Sequence, residues 1–209
     1  MSHINLSDIK NENINIGKSG RSVKLLYSKQ PFQIVTCKLY LPFGLKETPN
    51  NYSQLPSLSL DCSIDNSCID NQIYFENLDE YLSNFLAENK HYLDINMNND
   101  ELKKNYFPIL KENKSYPKLL KINLPRDNNG NLDFVLFDSN KERITINNSN
   151  ITEILTKGKT FKAIIECSRV WFFQNKIGTT WILKQLRFCD KKIDPIDNNI
   201  INDSILLDD

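Results

Sequence analysis

The chain has 209 residues, of which 40% are hydrophobic and 25% charged, and its 26 basic residues balance its 26 acidic ones. This length and composition predict one globular domain with appendages. No apolar run approaches the roughly 18 residues of a membrane span, and the first residues lack the basic-then-apolar order of a signal peptide, so we expect a soluble, intracellular protein.

The residues that usually carry chemistry are few and dispersed. The cysteines are odd in number and scattered, and His3 and His91 stand near none of them, so we expect reduced thiols with no disulfide and no zinc site. The sequence shows no histidine-activated nucleophile and no converging pair of carboxylates. We therefore predict a protein that is not an enzyme and needs no cofactor or metal.

The N-terminal half begins with polar residues 1–20, which lack the periodicity of a buried element and predict a loose arm. Extended character follows in residues 23–27, 32–41 and 57–61. Residues 78–89 carry an apolar stripe at helical spacing, with Asn77 available as a cap, and predict one amphipathic helix packed on the core.

The C-terminal half is richer in strand patterns. Residues 119–124 and 132–137 flank Asp127-Asn-Asn-Gly130, a hairpin signal. Residues 161–173 alternate as one long strand, residues 174–178 reverse the chain, and residues 179–188 return. Long curved hairpins favour a small closed barrel. We predict a mainly β domain over residues 21–192, an OB-fold-like five-stranded Greek-key barrel with extra strands.

Charge is unevenly distributed along the chain. Residues 193–209 hold five aspartates and no base, which leaves a body of net charge +5. This pattern predicts either a basic protein with a self-neutralising, disordered acidic C-terminal tail or a merely solubilising terminus.

Basic residues also cluster within the body. Between Lys103 and Arg126 there are seven basic residues and one acid, Glu112, with Tyr106, Phe107 and Tyr116 interleaved. Cations for phosphates and rings for unpaired bases are what a groove for a single nucleic-acid strand requires. The same aromatic residues also suit a hydrophobic core.

The final hairpin carries a family resemblance. Its segments are Lys157-Gly-Lys-Thr-Phe-Lys-Ala-Ile-Ile-Glu-Cys, Val170-Trp-Phe-Phe, Lys176-Ile-Gly and Thr180-Trp-Ile-Leu-Lys-Gln-Leu-Arg-Phe. Together with Tyr116-Pro-Lys-Leu-Leu-Lys-Ile-Asn-Leu-Pro and residues 134–143, they resemble the single-stranded-DNA-binding proteins of nucleocytoplasmic large DNA viruses, a group similar to the OB-fold replication protein of podophages. The resemblance covers residues 116–209.

The resemblance implies coating of single-stranded DNA during viral replication, recombination or repair, at a replication site in the host cell or with packaging in the virion. It also implies that the tail docks a replicative DNA polymerase or helicase. The podophage tail ends in an aromatic residue, whereas here the end is aliphatic and acidic. The predicted partner-binding residues of the tail are Asp203, Leu206, Leu207, Asp208 and Asp209. A homodimer is left open.

The predicted DNA site combines cations and rings. Phosphates would be neutralised by Lys118, Lys121, Arg126, Arg169, Lys184 and Arg187. Tyr116, Trp171 and Trp181 are the candidates for base stacking, and barrel core is the alternative for both tryptophans. Two other classes stay open at this point. A protein-interaction or virion-associated β domain would expose an apolar patch, and a nucleic-acid-processing enzyme would place an acidic or metal cluster in the groove.

Overall fold

The computed structural model describes residues 3–50, 54–68, 70–113 and 116–189. Within these ranges the strands are β1 (Ile4–Asn5), β2 (Ile14–Ser19), β3 (Ser22–Tyr27), β4 (Gln30–Pro31), β5 (Gln33–Val35), β6 (Leu39–Tyr40), β7 (Leu45–Thr48), β8 (Ser57–Ile64), β9 (Tyr106–Phe107), β10 (Leu110–Asn113), β11 (Tyr116–Leu124), β12 (Val135–Phe137), β13 (Thr160–Phe173) and β14 (Lys176–Phe188). The helices are α1 (Asp70–Glu88), α2 (Asn99–Lys104) and α3 (Ile151–Ile154). The protein is mainly β, as predicted.

Five strands of the sheet close into a ring. β13 pairs with β14, β14 with β11, β11 with β8, β8 with β6, and β6 with β13. This ring is the predicted OB-fold-like barrel, and the remaining strands extend it. The link between β11 and β14 has the fewest paired residues of the five, because it consists of one parallel pair, Asn123 with Ile182. We call this part of the barrel the seam.

The long hairpin of β13 and β14 organises the sheet. Its two-residue turn places Gln174 and Asn175 at φ 49° and 62°, the positive values of a type I′ hairpin. The turn is therefore shorter than predicted, and residues 176–178 belong to the strand. Two register shifts in the hairpin mark bulges: the extra residue at Ile164/Ile165 is Lys184 on β14, and the extra residue at Cys167/Arg169 is Ser168 on β13. Bulges of this kind bend and twist the strands around the barrel.

The second bulge also exchanges the faces of β13. Before it, Ala163, Ile165 and Cys167 point into the core, and after it Val170 takes the buried position. Arg169 and Trp171 share the odd-numbered pattern of the core residues, but the extra residue of the bulge turns them outward.

Helix α1 begins eight residues before the predicted start, so Asn77 lies inside the helix and does not cap it. The reason is that Phe75 extends the buried stripe, at helical spacing from Leu78 and Leu82. The predicted packing of the stripe on the core is confirmed, since Leu78, Leu82 and Leu86 are buried.

The N-terminal residues differ from the predicted loose arm. β2 pairs along its whole length with β3, and β1 lies beside β5 in parallel. Leu6 and Ile14 are buried in the same core as the barrel strands. Two buried apolar side chains and the pairing with neighbouring strands thus hold this polar segment against the barrel.

Candidate nucleic-acid interface

A groove of about 530 Å³ lies at the seam of the barrel. The segment from Phe107 to Lys111 forms one wall, the end of β11 forms another, and β13 and β14 supply the floor. The groove occupies the gap that the single β11–β14 pair leaves open. The charged and aromatic residues that line it are Lys111, Lys121, Arg126, Arg169, Phe107, Trp171 and Trp181.

Two aromatic rings stand together in the groove. The ring centroids of Phe107 and Trp171 are 5.7 Å apart at an interplanar angle of 57°. Trp171 lies opposite Gly178 in the hairpin, and a Cβ atom at position 178 would come within 2.6 Å of Trp171 Cζ2. The glycine therefore leaves the space in which the indole crosses β14.

Lys111 and Lys121 approach each other from two paired strands. Lys111 Nζ lies 4.9 Å from the centroid of the Phe107 ring, a cation–π contact. Burial lowers the pKa of Lys111, the positive charge of Lys121 lowers it further, and Asp61 acts in the opposite direction. An anion between the two lysines would relieve this repulsion.

Arg126 is oriented by the turn that follows it. Its Nη1 donates to the carbonyl of Gly130 at 2.9 Å and to Asn148 Oδ1. Asp127 holds this turn by accepting from the backbone N–H of Asn131 at 2.8 Å. The Nε of Arg126 is buried and has no hydrogen-bond partner within the part of the chain that the structure describes. The guanidinium is thus held at the groove, and its Nε–H donor makes no hydrogen bond within the described residues.

Trp181 lines the groove but belongs to the core. Its side chain is 2% exposed, and its ring meets that of Phe32 edge to face at 5.6 Å. Its Nε1 donates to Thr179 Oγ1 at 2.9 Å, and its carbonyl accepts from Asn123 Nδ2 at 3.2 Å across the seam. A ring this buried offers no face to a base, so the predicted stacking role of Trp181 does not fit the structure.

Three predicted cations lie outside the groove. Lys118 forms ion pairs with Glu76 at 2.9 Å and Glu112 at 3.8 Å, Arg187 is 8% exposed on β14 beside β12, and Lys184 is half-buried and does not line the cavity. The structure thus brings together Lys121, Arg126, Arg169 and Trp171 from the predicted set.

Two predictions cannot be placed. Tyr116 begins β11, but its side chain lies outside the described residues, and so do the tail positions Asp203, Leu206, Leu207, Asp208 and Asp209. Of the basic cluster, Lys103 and Lys104 sit in the last turn of α2, where cations complement the helix dipole.

The prediction did not single out two side chains of the groove, Phe107 and Lys111. The signal for them was present, because both fall in the basic and aromatic cluster before Arg126. What the sequence does not show is that the short wall segment crosses from β14 to β11, which brings its ring and its cation to Trp171 and Lys121.

Within the described residues, no group of three or more His, Cys, Asp or Glu side chains is arranged to hold a metal ion. None of the helices in the described ranges is long and apolar enough to cross a bilayer.

The fold and the groove can be compared with known proteins. No protein-family model matches the sequence, and no curated protein matches it. Solved structures that resemble the chain include phage single-stranded-DNA-binding proteins.

The particular structures come from two phages. A C-terminally truncated protein of bacteriophage Enc34 matches with a TM-score of 0.49 and 10% identity, over 88% of this chain and 98% of that one. The Enc34 protein in complex with single-stranded DNA gives 0.48 and 10%, over 87% and 97%. The gp2.5 protein of bacteriophage T7 gives 0.47 and 11%, over 79% and 96%. Similarity at this level carries no conclusion about function. The functional argument depends on the residues of the groove.

Proposed function

We propose that the protein binds single-stranded DNA in the seam groove without reading its sequence. One observation carries this proposal: cationic side chains from four chain segments surround one pair of aromatic rings. Lys111, Lys121, Arg126 and Arg169 are the cations, and none of the described residues that line the groove is acidic. Phosphates would contact the cations, and an unpaired base would stack on Trp171.

The two kinds of contact have different physical signatures. Each neutralised phosphate on a single strand releases counterions and steepens the salt dependence of log K by about 0.7, so four contacts predict a slope of about −3. Stacking of a base on an aromatic ring contributes about 1–3 kcal/mol and is insensitive to sequence, because every base has a π face. Together they describe binding that depends strongly on salt and weakly on base composition.

The size of the groove favours a flexible single strand. Its volume of about 530 Å³ is that of a small-molecule pocket. Such a cavity accepts a base with its sugar and phosphate, whereas a double helix keeps its bases stacked inside and cannot present them to Trp171. We therefore expect discrimination against duplex DNA.

Fluorescence anisotropy with a labelled oligonucleotide of about 20 nucleotides tests this proposal, since such a strand spans one binding site. We expect the full chain to bind the single strand more tightly than a duplex of the same length. Between about 50 and 200 mM salt, a slope near −3 corresponds to an affinity loss of about 50-fold. Equal binding of both forms, or binding that does not respond to salt, would contradict the proposal.

We also propose that the acidic tail, residues 193–209, competes with DNA for the groove. If the tail binds with a Kd of about 0.1 mM and its effective concentration is about 1 mM, deleting it tightens DNA binding about tenfold at low salt. A full-length variant with all five tail aspartates changed to Asn keeps the tether and removes the charge, so it should match the deletion. Unchanged affinity in both variants at low salt would refute competition and leave DNA binding intact.

Coating of single strands would serve replication, recombination or repair of viral DNA, with the tail as the docking site for a polymerase or helicase. The resemblance of residues 116–209 to proteins of large DNA viruses supports this role. The alternative of a protein-interaction module calls for an apolar patch. Among the described residues, the exposed large apolar side chains from which such a patch could form are Phe43, Leu55, Ile73, Tyr74 and Phe173.

A further inference from the structure

The wall of the groove between β9 and β10 has little sheet support of its own. β9 pairs with β14 at two positions, Tyr106 with Ile177 and Phe107 with Gly178. β10 then pairs with β11 from Leu110 onward. Between the two strands lie Pro108, which has no N–H, and Ile109. The backbone N–H of Ile109 therefore needs a hydrogen-bond acceptor outside the sheet, and this stretch needs another contact to hold its position.

A single carboxylate from α1 supplies that support. Asp79 Oδ1 accepts from the Tyr106 hydroxyl at 2.7 Å and from the Ile109 N–H at 2.8 Å. Asp79 Oδ2 accepts from the Ile109 N–H at 3.0 Å and from the Leu110 N–H at 3.4 Å. Asp79 lies on the buried side of the helix, four residues after Phe75 and three before Leu82. It joins the helix to both ends of the wall.

The buried position of Asp79 is unfavourable for a charged group. We infer that the role of this carboxylate is to accept hydrogen bonds. Burial raises the pKa of Asp79 to about 6, while the Ile109 N–H, the Tyr106 hydroxyl, the Leu110 N–H and the charge of Lys118 act in the opposite direction. An apolar side chain would bury the same helix face at lower cost but would leave the wall amides without an acceptor.

The wall that Asp79 holds carries two of the side chains in the groove. Phe107 follows Tyr106 directly, and Lys111 follows Leu110. The contact of Phe107 with Trp171 at 5.7 Å requires the wall to stay beside β14. The contact of Lys111 with the Phe107 ring at 4.9 Å requires the wall to keep its own conformation. A wall held in one place does not have to be ordered by the ligand, which preserves affinity.

We propose that Asp79 is a positioning residue for the groove. Through the backbone of residues 106–110 it holds Phe107 and Lys111 where a nucleotide is received, although it does not touch the nucleotide itself. Asp79 thereby contributes to binding from α1, although no residue of this helix lines the groove. This inference rests on the proposed function.

The test compares Asp79→Asn with Leu82→Ala in the full chain. The amide of Asn turns one donor toward the wall N–H groups, so the wall samples other positions. If it keeps the binding geometry about a tenth of the time, single-strand affinity falls about tenfold. Leu82 is fully buried on the same helix and contacts the core, so Leu82→Ala should lower the melting temperature and leave affinity unchanged well below that temperature.

Tyr106→Phe is a milder second variant. It removes one donor to Asp79 and keeps both backbone contacts, so we expect a two- to threefold loss of affinity by the same reasoning. It keeps the proposal testable if Asp79→Asn does not fold.

A double-mutant cycle separates positioning from general stability. Since Asp79 acts through Phe107, the affinity losses of Asp79→Asn and Phe107→Ala should combine to less than their sum. The losses of Asp79→Asn and Arg169→Gln should add, because Arg169 stands on β13. Full affinity in Asp79→Asn and Tyr106→Phe, or additivity with Phe107→Ala, would overturn the positioning role. Absence of single-strand binding by the unmodified chain would instead refute the proposed function.

Discussion

Changing Lys111, Lys121 and Arg169 together to Gln is expected to weaken single-strand binding roughly 100-fold in dilute buffer. The estimate takes about 1 kcal/mol for each charged contact that is lost. The salt slope should change from about −3 to about −1, because Arg126 would be the remaining cation of the four. Anisotropy titrations over a series of salt concentrations measure both quantities.

The matched control removes the same charge elsewhere. Lys10, Lys29 and Lys157 are exposed and do not line the groove. Their triple change to Gln should preserve most of the slope and lower affinity only through the long-range field, which salt screens within about 8–10 Å. If both triple variants lose affinity equally, binding responds to the net charge of the body, and the groove is not the site.

The second large effect is expected at Trp171. Trp171→Ala removes the stacking platform and should cost about 1–3 kcal/mol, or roughly 5- to 150-fold in affinity, without changing the salt slope. Gly178→Val should act in the same direction, because its side chain occupies the space of the indole. Anisotropy titrations at several salt concentrations check both expectations.

Trp181→Phe provides the control and also a probe. Trp181 is buried against Phe32, so its replacement should affect stability more than affinity. The variant keeps Trp171 as the one tryptophan of the chain. Quenching of its fluorescence on addition of an oligonucleotide would report stacking at Trp171. Unaltered fluorescence at saturating DNA, with wild-type affinity in Trp171→Ala, would remove stacking from the mechanism.

The barrel was predictable because its long strands show hydrophobic alternation within a single segment of the sequence. The β13–β14 hairpin shows alternation over many residues, and α1 shows a stripe at helical spacing; both signals are contained in the segment itself. The positive-φ turn at Gln174 and Asn175 was harder to place, because neither residue is a glycine.

The site was predictable only in part, because it depends on how distant segments pair and pack against each other. Arg169 and Trp171 were predicted for the site, but the sequence does not show the bulge at Cys167/Arg169 that turns them to the groove. Strict alternation alone would have placed them with the core residues. Trp181 shows the opposite case, since it shares the odd-numbered positions of β14 with Gln185 and Arg187 while its ring is buried. Lys118 looked like its neighbours in the cluster, but its partner Glu76 is contributed by α1, 42 residues away.

The pairing of β5 with β13 joins distant parts of the chain. Ile34 pairs with Ile165. Next to this pair, Gln33 Nε2 donates to Glu166 Oε2 at 2.7 Å, and these two residues are 133 positions apart in the sequence. During synthesis the edge of β5 that pairs with β13 therefore stays unpaired until the C-terminal hairpin has left the ribosome. Such distant pairing makes folding slow and exposes the nascent chain to self-association, so we expect chaperones to matter more for this protein than for a helical domain of equal length.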